Sequence, residues 1–250
     1  MALIEFTGLT KRYDHVTAVD NITFTLAPGR VTGFVGANGA GKTTTIRMLL
    51  GLTRPTAGSV TIDGTAYADL RNPIRLVGAM VDPDVFHTRR SGRNALRTIA
   101  RVADIPDTRV DEVLALVDLT AAARRPAGGF SMGMRQRLAL AAALLGDPET
   151  LVLDEPANGL DPEGVHWLRQ LIREMAAEGR TVFVSSHLLA ELAQTVDDVV
   201  IIIANGRLVT HEPMASLLGQ AKDTSLEDVY FSLIAPGGLD PTGHTIKEPS

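Results

Sequence analysis

No cysteine occurs anywhere in the chain. Disulfides, thiolate metal sites and cysteine nucleophiles are therefore excluded. Aromatic residues are scarce, at 4%, so each one is a candidate for individual meaning. No uninterrupted apolar stretch approaches the ~20 residues that a membrane-spanning helix needs. The longest, near Val199 to Ala204, has the length of a strand. The segment Met1-Ala2-Leu3-Ile4-Glu5 lacks a basic region and a long apolar run, so no signal peptide is expected. Positive charge is not in excess either. A formal net charge of −5 gives no footprint for nucleic acid or anionic lipid, and no nucleic-acid partner is expected. If the chain works at a membrane, a protein partner must hold it there. The 250 residues suffice for one large α/β domain with a substantial core.

What the chain does have is glycine in a specific place. Gly36-Ala37-Asn38-Gly39-Ala40-Gly41-Lys42-Thr43-Thr44 reads G-x-x-x-x-G-K-[ST], the phosphate-binding loop. Glycines let the backbone turn with positive φ and bring N–H groups close to phosphates. Lys42 supplies a point charge to the β- and γ-phosphates, and the Thr43 hydroxyl is placed to ligate Mg²⁺. The flanks support the motif. Val31 to Val35 is a short β-prone run, Thr44 to Leu50 reads as helix, and Gly51 stops it. Strand, loop and helix are the required context, because a new helix N-terminus adds its dipole and free N–H groups to the anion site. The loop alone says NTPase or nucleotide kinase.

The second half narrows this. Thr150-Leu151-Val152-Leu153-Asp154-Glu155 is an apolar run that ends in two carboxylates. It reads as a buried parallel strand, and open α/β sheets place ligands at the C-terminal ends of such strands. Asp154 is the expected Mg²⁺ holder, through water. Glu155, one residue further out, is positioned to take a proton from an attacking water. Taken alone, the pair could be a solvated acidic turn; the phosphate loop upstream argues against that.

Further motifs follow in an order that resembles the ATP-binding subunits of ABC transporters. Phe130-Ser131-Met132-Gly133-Met134-Arg135-Gln136-Arg137 resembles the signature motif, usually written LSGGQ, and opens a helix. Asn158-Gly159-Leu160-Asp161 resembles the D-loop, and His187 in Val184-Ser185-Ser186-His187 resembles the switch histidine. Tyr13 resembles the aromatic that stacks on adenine. The resemblance spans roughly residues 3 to 232. It implies that ATP and Mg²⁺ are the cofactors. It also implies that Gly36, Asn38, Gly39, Ala40, Gly41, Lys42, Thr43 and Thr44 cradle the nucleotide, with Tyr13, Ser131, Gly133 and Asp161 completing the site. Ser131 can equally be a plain helix cap. The signature departs from the common pattern at Met132 and Met134. Asp82 stands where glutamine is usual in the Q-loop, and can reach Mg²⁺ or water as a carboxylate. Acidic residues at that position and an SMGM-type signature resemble the drug- and peptide-exporter branch. Leu226-Glu227-Asp228-Val229-Tyr230 resembles a terminal segment of that branch.

The remaining pattern predicts an α/β fold: a P-loop NTPase core with mixed sheet, an antiparallel β layer and an inserted α-helical signature subdomain. Residues 3–9, 22–27 and 58–62 read as the antiparallel strands. Residues 92–146 are mostly helical, with Val110, Val113, Leu114 and Val117 as a packing stripe. Strand 150–154, a helix from Pro162 to about Glu178, and strands 181–185 and 198–203 follow. Asp161 is a good N-cap before Pro162, and Gly179 a good stop. Residues 206–234 read as a short strand and two helices. One domain over 1–234 is expected, its helical subdomain at about 83–146, with 235–250 as a disordered tail.

The resemblance implies the motor subunit of an exporter. Two copies would sandwich ATP head to tail, Glu155, His187 and Asp82 would act on hydrolysis, and Thr43, Asp154 and Asp82 would hold the metal. A separate integral membrane permease would place the dimer on the cytoplasmic face of the cell membrane. The alternative is a soluble ABC-type ATPase outside transport, such as a cluster-assembly ATPase.

Overall fold

The structure is a computed structural model that describes residues 2–196, 199–218 and 225–235. The expected tail from Ala235 to Ser250 lies, after its first residue, outside the described residues. The elements in chain order are β1 (Ile4–Tyr13), β2 (Val16–Leu26), β3 (Val31–Val35), α1 (Lys42–Leu49), β4 (Ala57–Ile62), α2 (Pro73–Leu76), β5 (Val77–Met80), α3 (Gly92–Val102) and α4 (Asp107–Leu116). There follow α5 (Met132–Leu144), β6 (Thr150–Asp154), α6 (Pro162–Ala177), β7 (Thr181–Ser186), α7 (Leu189–Ala193), β8 (Val199–Ala204), β9 (Arg207–Pro213), α8 (Met214–Leu218) and α9 (Leu226–Ile234).

Two sheets form the frame. The larger has six strands in the order β5-β6-β7-β3-β8-β9. All its pairings are parallel except β8 with β9. Every residue of β3, β6 and β7 is buried, which is why these strands read as continuous apolar runs. Their side chains alternate between two cores. Val31, Val35, Leu151, Leu153, Val182 and Val184 face a helical core built with α3 to α6. Phe34, Val152 and Phe183 face the second core, under the smaller sheet β2-β1-β4. There Phe6 stacks on Phe24 at 4.1 Å, and Phe34 meets Phe183 at 5.2 Å between ring centres. The fold is thus the expected P-loop α/β core with an antiparallel layer and a helical lobe.

The antiparallel hairpin is longer than its sequence pattern suggests. β1 runs to Tyr13 and β2 begins at Val16, well outside 3–9 and 22–27. Register shifts between Phe6 and Leu9, Leu9 and Lys11, and Lys11 and Arg12 explain this. Each irregularity resets the inward and outward alternation, so the apolar period fades although the pairing continues.

Local chemistry starts the lobe helices. Ser91 caps α3 by accepting from Asn94 N, Ser131 caps α5 by accepting from Met134 N, and Asp161 caps α6 by accepting from Gly164 N. Arg93 pairs with Asp111 and Arg97 with Asp107, each at 2.7 Å, tying α3 to α4. Hydrogen bonds from these arginines hold both carboxyls below the usual carboxylate range.

The lobe is joined to the sheet at a close approach of backbone to backbone. α5 lies against β5, and a Cβ on Gly78 would overlap the Ala143 carbonyl. We expect Gly78→Ala to force α5 away from the sheet and cost about 1–3 kcal/mol of stability. Urea unfolding would show this as a lower midpoint with an unchanged slope. An unaltered midpoint would mean that the two elements can separate freely.

Candidate active site

β3 delivers the chain to the phosphate loop at the C-terminal edge of the sheet, and α1 leaves from it. Gly41 turns the loop into the helix with φ 107°. A side chain there would be strained and would also run into the Ala18 carbonyl of β2. Lys42 is therefore the first residue of α1, and its side chain folds back over the loop. Its ammonium is almost fully buried. It donates to Gly36 O at 2.6 Å and Ala37 O at 3.3 Å, and pairs with Glu155 Oε1 at 3.2 Å. Asn38 and Gly39 lie exposed at the loop tip, while Gly36, Ala40 and Gly41 are buried. Thr44 follows within α1, half-buried.

β6 and β7 bring the acidic residues to the same edge. Asp154 ends β6 and is buried. Thr43 donates to Asp154 Oδ2 at 2.6 Å, and Ser185 donates to Asp154 Oδ1. Glu155 takes φ 50°, a left-handed conformation that costs a residue with a side chain of this size roughly 1 kcal/mol or more. Three contacts hold it there. Its N–H donates to Ser185 Oγ at 3.1 Å, and its carbonyl accepts from Gln136 Nε2 at 3.1 Å. His187 supplies the third, with its N–H at 3.3 Å and Nδ1 at 2.7 Å from Glu155 Oε2. The carboxylate thus lies between the Lys42 ammonium and the His187 ring.

Five of the residues singled out in the sequence are therefore brought together: Lys42, Thr43, Asp154, Glu155 and His187. Asp82 lies beyond the end of β5, where Met80 pairs with Leu153 of β6. It is exposed, and its Oδ1 accepts from Asp84 N at 2.9 Å. Tyr13 closes the β1–β2 hairpin, 45% exposed, with the Lys11 ammonium 4.8 Å from its ring centre. Ser131 and Gly133 sit elsewhere, at the start of α5. No hydrogen bond or ion pair among the described residues joins them to the phosphate loop. Gly133 lies instead beside the Gly159 carbonyl, and Met132 abuts Gly159. Asp161 caps α6, accepting from Gly164 N at 2.8 Å.

Two members of the cluster carry no role in the sequence reading: Ser185 and Gln136. Both lie inside motifs quoted there. Ser185 bridges the two adjacent carboxylate residues, and Gln136 reaches from the signature helix to the strained Glu155 peptide. The oxygen set of Thr43 and Asp154 suits a hard cation such as Mg²⁺. No group of three or more metal-ligating side chains occurs among the described residues, so substrate oxygens or water would supply the remaining ligands.

A lysine-bearing glycine loop at a strand–helix junction, opposed by a strand-end Asp-Glu pair, defines a P-loop nucleotide hydrolase. Comparisons with known proteins are specific. A family described as ABC transporter matches residues 19–158. The bacitracin transport ATP-binding protein BcrA of Bacillus licheniformis is 43% identical over 218 residues, 86% of this chain and 71% of that protein. A solved ATP-binding subunit of an ABC transporter superposes with TM-score 0.82 at 27% identity, over 92% of this chain and 99% of that one. The dimeric post-hydrolysis cassette MJ0796, bound to ADP and Pi, shares the fold with TM-score 0.77 at 21% identity, over 84% of this chain and 98% of that one. This chain belongs to the ABC transporter family, as an ATP-binding subunit that hydrolyses ATP.

The Ser185 bridge makes a stability prediction. Ser185→Ala leaves the Glu155 N–H and one oxygen of the buried Asp154 without their protein partner. A loss of about 1–3 kcal/mol is expected. Equilibrium urea unfolding measures it, and a midpoint equal to that of the parent chain would show that solvent replaces the serine at no cost.

Proposed function

We propose that this chain is the motor of a drug or peptide exporter and works as a head-to-tail dimer with two ATP molecules at the interface. The observation that carries this is the split site. Lys42, Thr43, Asp154, Glu155 and His187 form one cluster. Ser131 and Gly133 lie outside it on the helical lobe, next to the Gly159 loop. A second copy related by a two-fold axis supplies the missing half to each cluster and receives the same in return. The relative named for bacitracin transport and the dimeric MJ0796 cassette support the reading.

In this mechanism the phosphate loop and Lys42 bind the β- and γ-phosphates. An incoming γ-phosphate competes with Glu155 for the Lys42 ammonium. As Lys42 turns to phosphate, Glu155 is left as a carboxylate held by His187 and free to orient water. It accepts the water proton as the oxygen attacks the γ-phosphorus, and ADP and phosphate are the products. Thr43, Asp154 and Asp82 are the residues that would hold Mg²⁺. When bound, the ion neutralises charge on the transferring phosphoryl group. Tyr13, on the open hairpin, is the stacking surface for adenine. Asp161, at the start of α6, reaches the partner's nucleotide from the D-loop side. Thr44, Asn38, Gly39 and Ala40 complete the cradle through the loop.

Closure of the dimer would pull on a membrane permease in a separate chain, at the cytoplasmic face of the membrane. No helix among the described residues is long and apolar enough to cross a membrane. A groove of about 470 Å³ between β5 and the helical lobe supports such docking. Leu52 and Val85 on its wall are each 67% exposed, apolar surface that this chain leaves uncovered.

Glu155→Gln is expected to bind ATP and to lose ~10²–10⁴-fold in hydrolysis, the usual effect of removing a general base. The substitution also removes the anion that competes for Lys42, so ATP affinity holds or rises. Wild-type turnover in this variant would remove Glu155 from the mechanism. The same variant should be a monomer without nucleotide and a dimer with ATP and Mg²⁺ in sedimentation; no mass change at high protein concentration would sink the dimer for the isolated chain.

A mixing experiment tests the shared site directly. Lys42→Ala and Ser131→Arg chains are each expected to be inactive alone. Mixed, they assemble one intact site per heterodimer, from the loop of one chain and the signature of the other. Recovery of activity on mixing is the expected result. Absence of recovery, with heterodimer present, would mean that each site is built within one chain.

A further inference from the structure

We infer that Tyr230, on the C-terminal helix α9, is a positioning residue for the phosphate loop and for Lys42. The inference rests on the ATPase reading above and adds to it a residue that the loop motif does not contain.

The contact is specific. The Tyr230 hydroxyl accepts a hydrogen bond from the Ala37 N–H at 3.2 Å, across 193 residues of sequence. Tyr230 itself is 6% exposed. A buried phenol needs a polar partner, and here that partner is the first peptide after Gly36. That peptide unit is held at both ends. Its N–H goes to Tyr230, and its carbonyl, Gly36 O, accepts from Lys42 Nζ at 2.6 Å. A trans peptide is planar, with N–H and C=O pointing in opposite directions. Rotation of the plane would therefore break the tyrosine bond and move the lysine anchor together. Tyr230 fixes the orientation of the plane, and the plane fixes the resting place of the ammonium.

The sequence builds α9 to deliver this hydroxyl. Ser225 and Asp228 form a reciprocal capping box that starts the helix. Leu226, Tyr230 and Leu233, at helical spacing, are buried in the same core as Leu189, Leu192 and Val196. Phe231 points outward, 63% exposed. The Tyr230 hydroxyl carries this buried face of α9 to the loop. The helix lies outside residues 19–158, so the support comes from a part of the chain beyond the family match. A second strut from the same region meets the loop three residues on, where Gly206 N donates to Ala40 O at 3.0 Å.

Tyr230→Phe deletes one oxygen and keeps the ring, so α9 can stay seated. The measurement is nucleotide affinity, KM and kcat for the full-length chain, with thermal melting in the absence of nucleotide. ATP and ADP affinities should fall in parallel, by about three- to tenfold, the range for one neutral hydrogen bond. KM for ATP should rise by the same factor while kcat stays within about twofold, because Glu155 is untouched. Affinities within twofold of the parent chain would overturn the inference. So would a large drop in melting temperature that accompanies the whole effect, since that marks a plain anchor for α9. Ala37→Pro removes the N–H donor itself. If Tyr230 acts through that N–H, adding Tyr230→Phe to Ala37→Pro changes affinity no further. An equal additional loss in the double variant would overturn the route. A parent chain that failed to bind ATP would refute the ATPase reading instead, so the two failures are distinguishable.

Discussion

A buried ammonium is the constraint around which this structure is arranged. Lys42 is 5% exposed. An isolated charge at that depth would be prohibitively unstable, so it has to be surrounded by acceptors. Two adjacent loop carbonyls and, from a distant stretch of chain, the Glu155 carboxylate provide them. β3 and β7 must run side by side, and β6 next to β7, for Glu155 and His187 to reach the lysine at all. The same geometry explains why Glu155 is held in a left-handed conformation. Its backbone leaves the strand abruptly, and its side chain turns toward the loop rather than continuing along the sheet. In the mechanism proposed above, an incoming phosphate competes with Glu155 for this cation. A phosphate that takes the cation from the carboxylate changes the duty of both residues at once.

The sheet makes this arrangement stiff. Its central strands are buried on both faces, with an aromatic cluster on one side and the helical lobe on the other. Close packing on two sides transmits small displacements rather than absorbing them. The lobe touches the strand-end cluster through a hydrogen bond from Gln136 on α5 to the Glu155 carbonyl. Asp84, just beyond the end of β5, pairs at 2.7 Å with Arg135 on the same helix. The helix that carries Ser131 and Gly133 is thus connected both to the Glu155 backbone and to the segment that carries Asp82. The lobe and the Glu155 peptide are joined directly within one chain.

The C-terminal third has a part in the site that its sequence does not advertise. β8 and β9 meet in a turn that grips Ala40, and α9 holds the peptide before Ala37. The phosphate loop is therefore supported from outside as well as from the strand and helix that flank it. Loops that must present their N–H groups to an anion gain from such support, because unrestrained backbone dipoles would otherwise turn toward solvent.

The sequence by itself determined the local pieces: the glycine loop between strand and helix, the apolar run ending in Asp154-Glu155, the caps at Ser131 and Asp161. Each is a short-range pattern whose chemistry is complete within a few residues, so it can be read without a fold. The order of the motifs was enough to indicate the family. Strand ends in the β1–β2 hairpin were not legible, because register shifts broke the alternation that marks a strand. Tertiary structure alone decided that Ser185 bridges Asp154 and Glu155, that Gln136 holds the strained peptide, and that Tyr230 reaches Ala37. It also decided that Ser131 and Gly133 lie apart from Lys42. The physical reason is common to the three hydrogen-bonded contacts. A hydrogen bond between residues 19 to 193 positions apart depends on how whole elements pack, and serine, glutamine and tyrosine carry no local mark that names a distant partner.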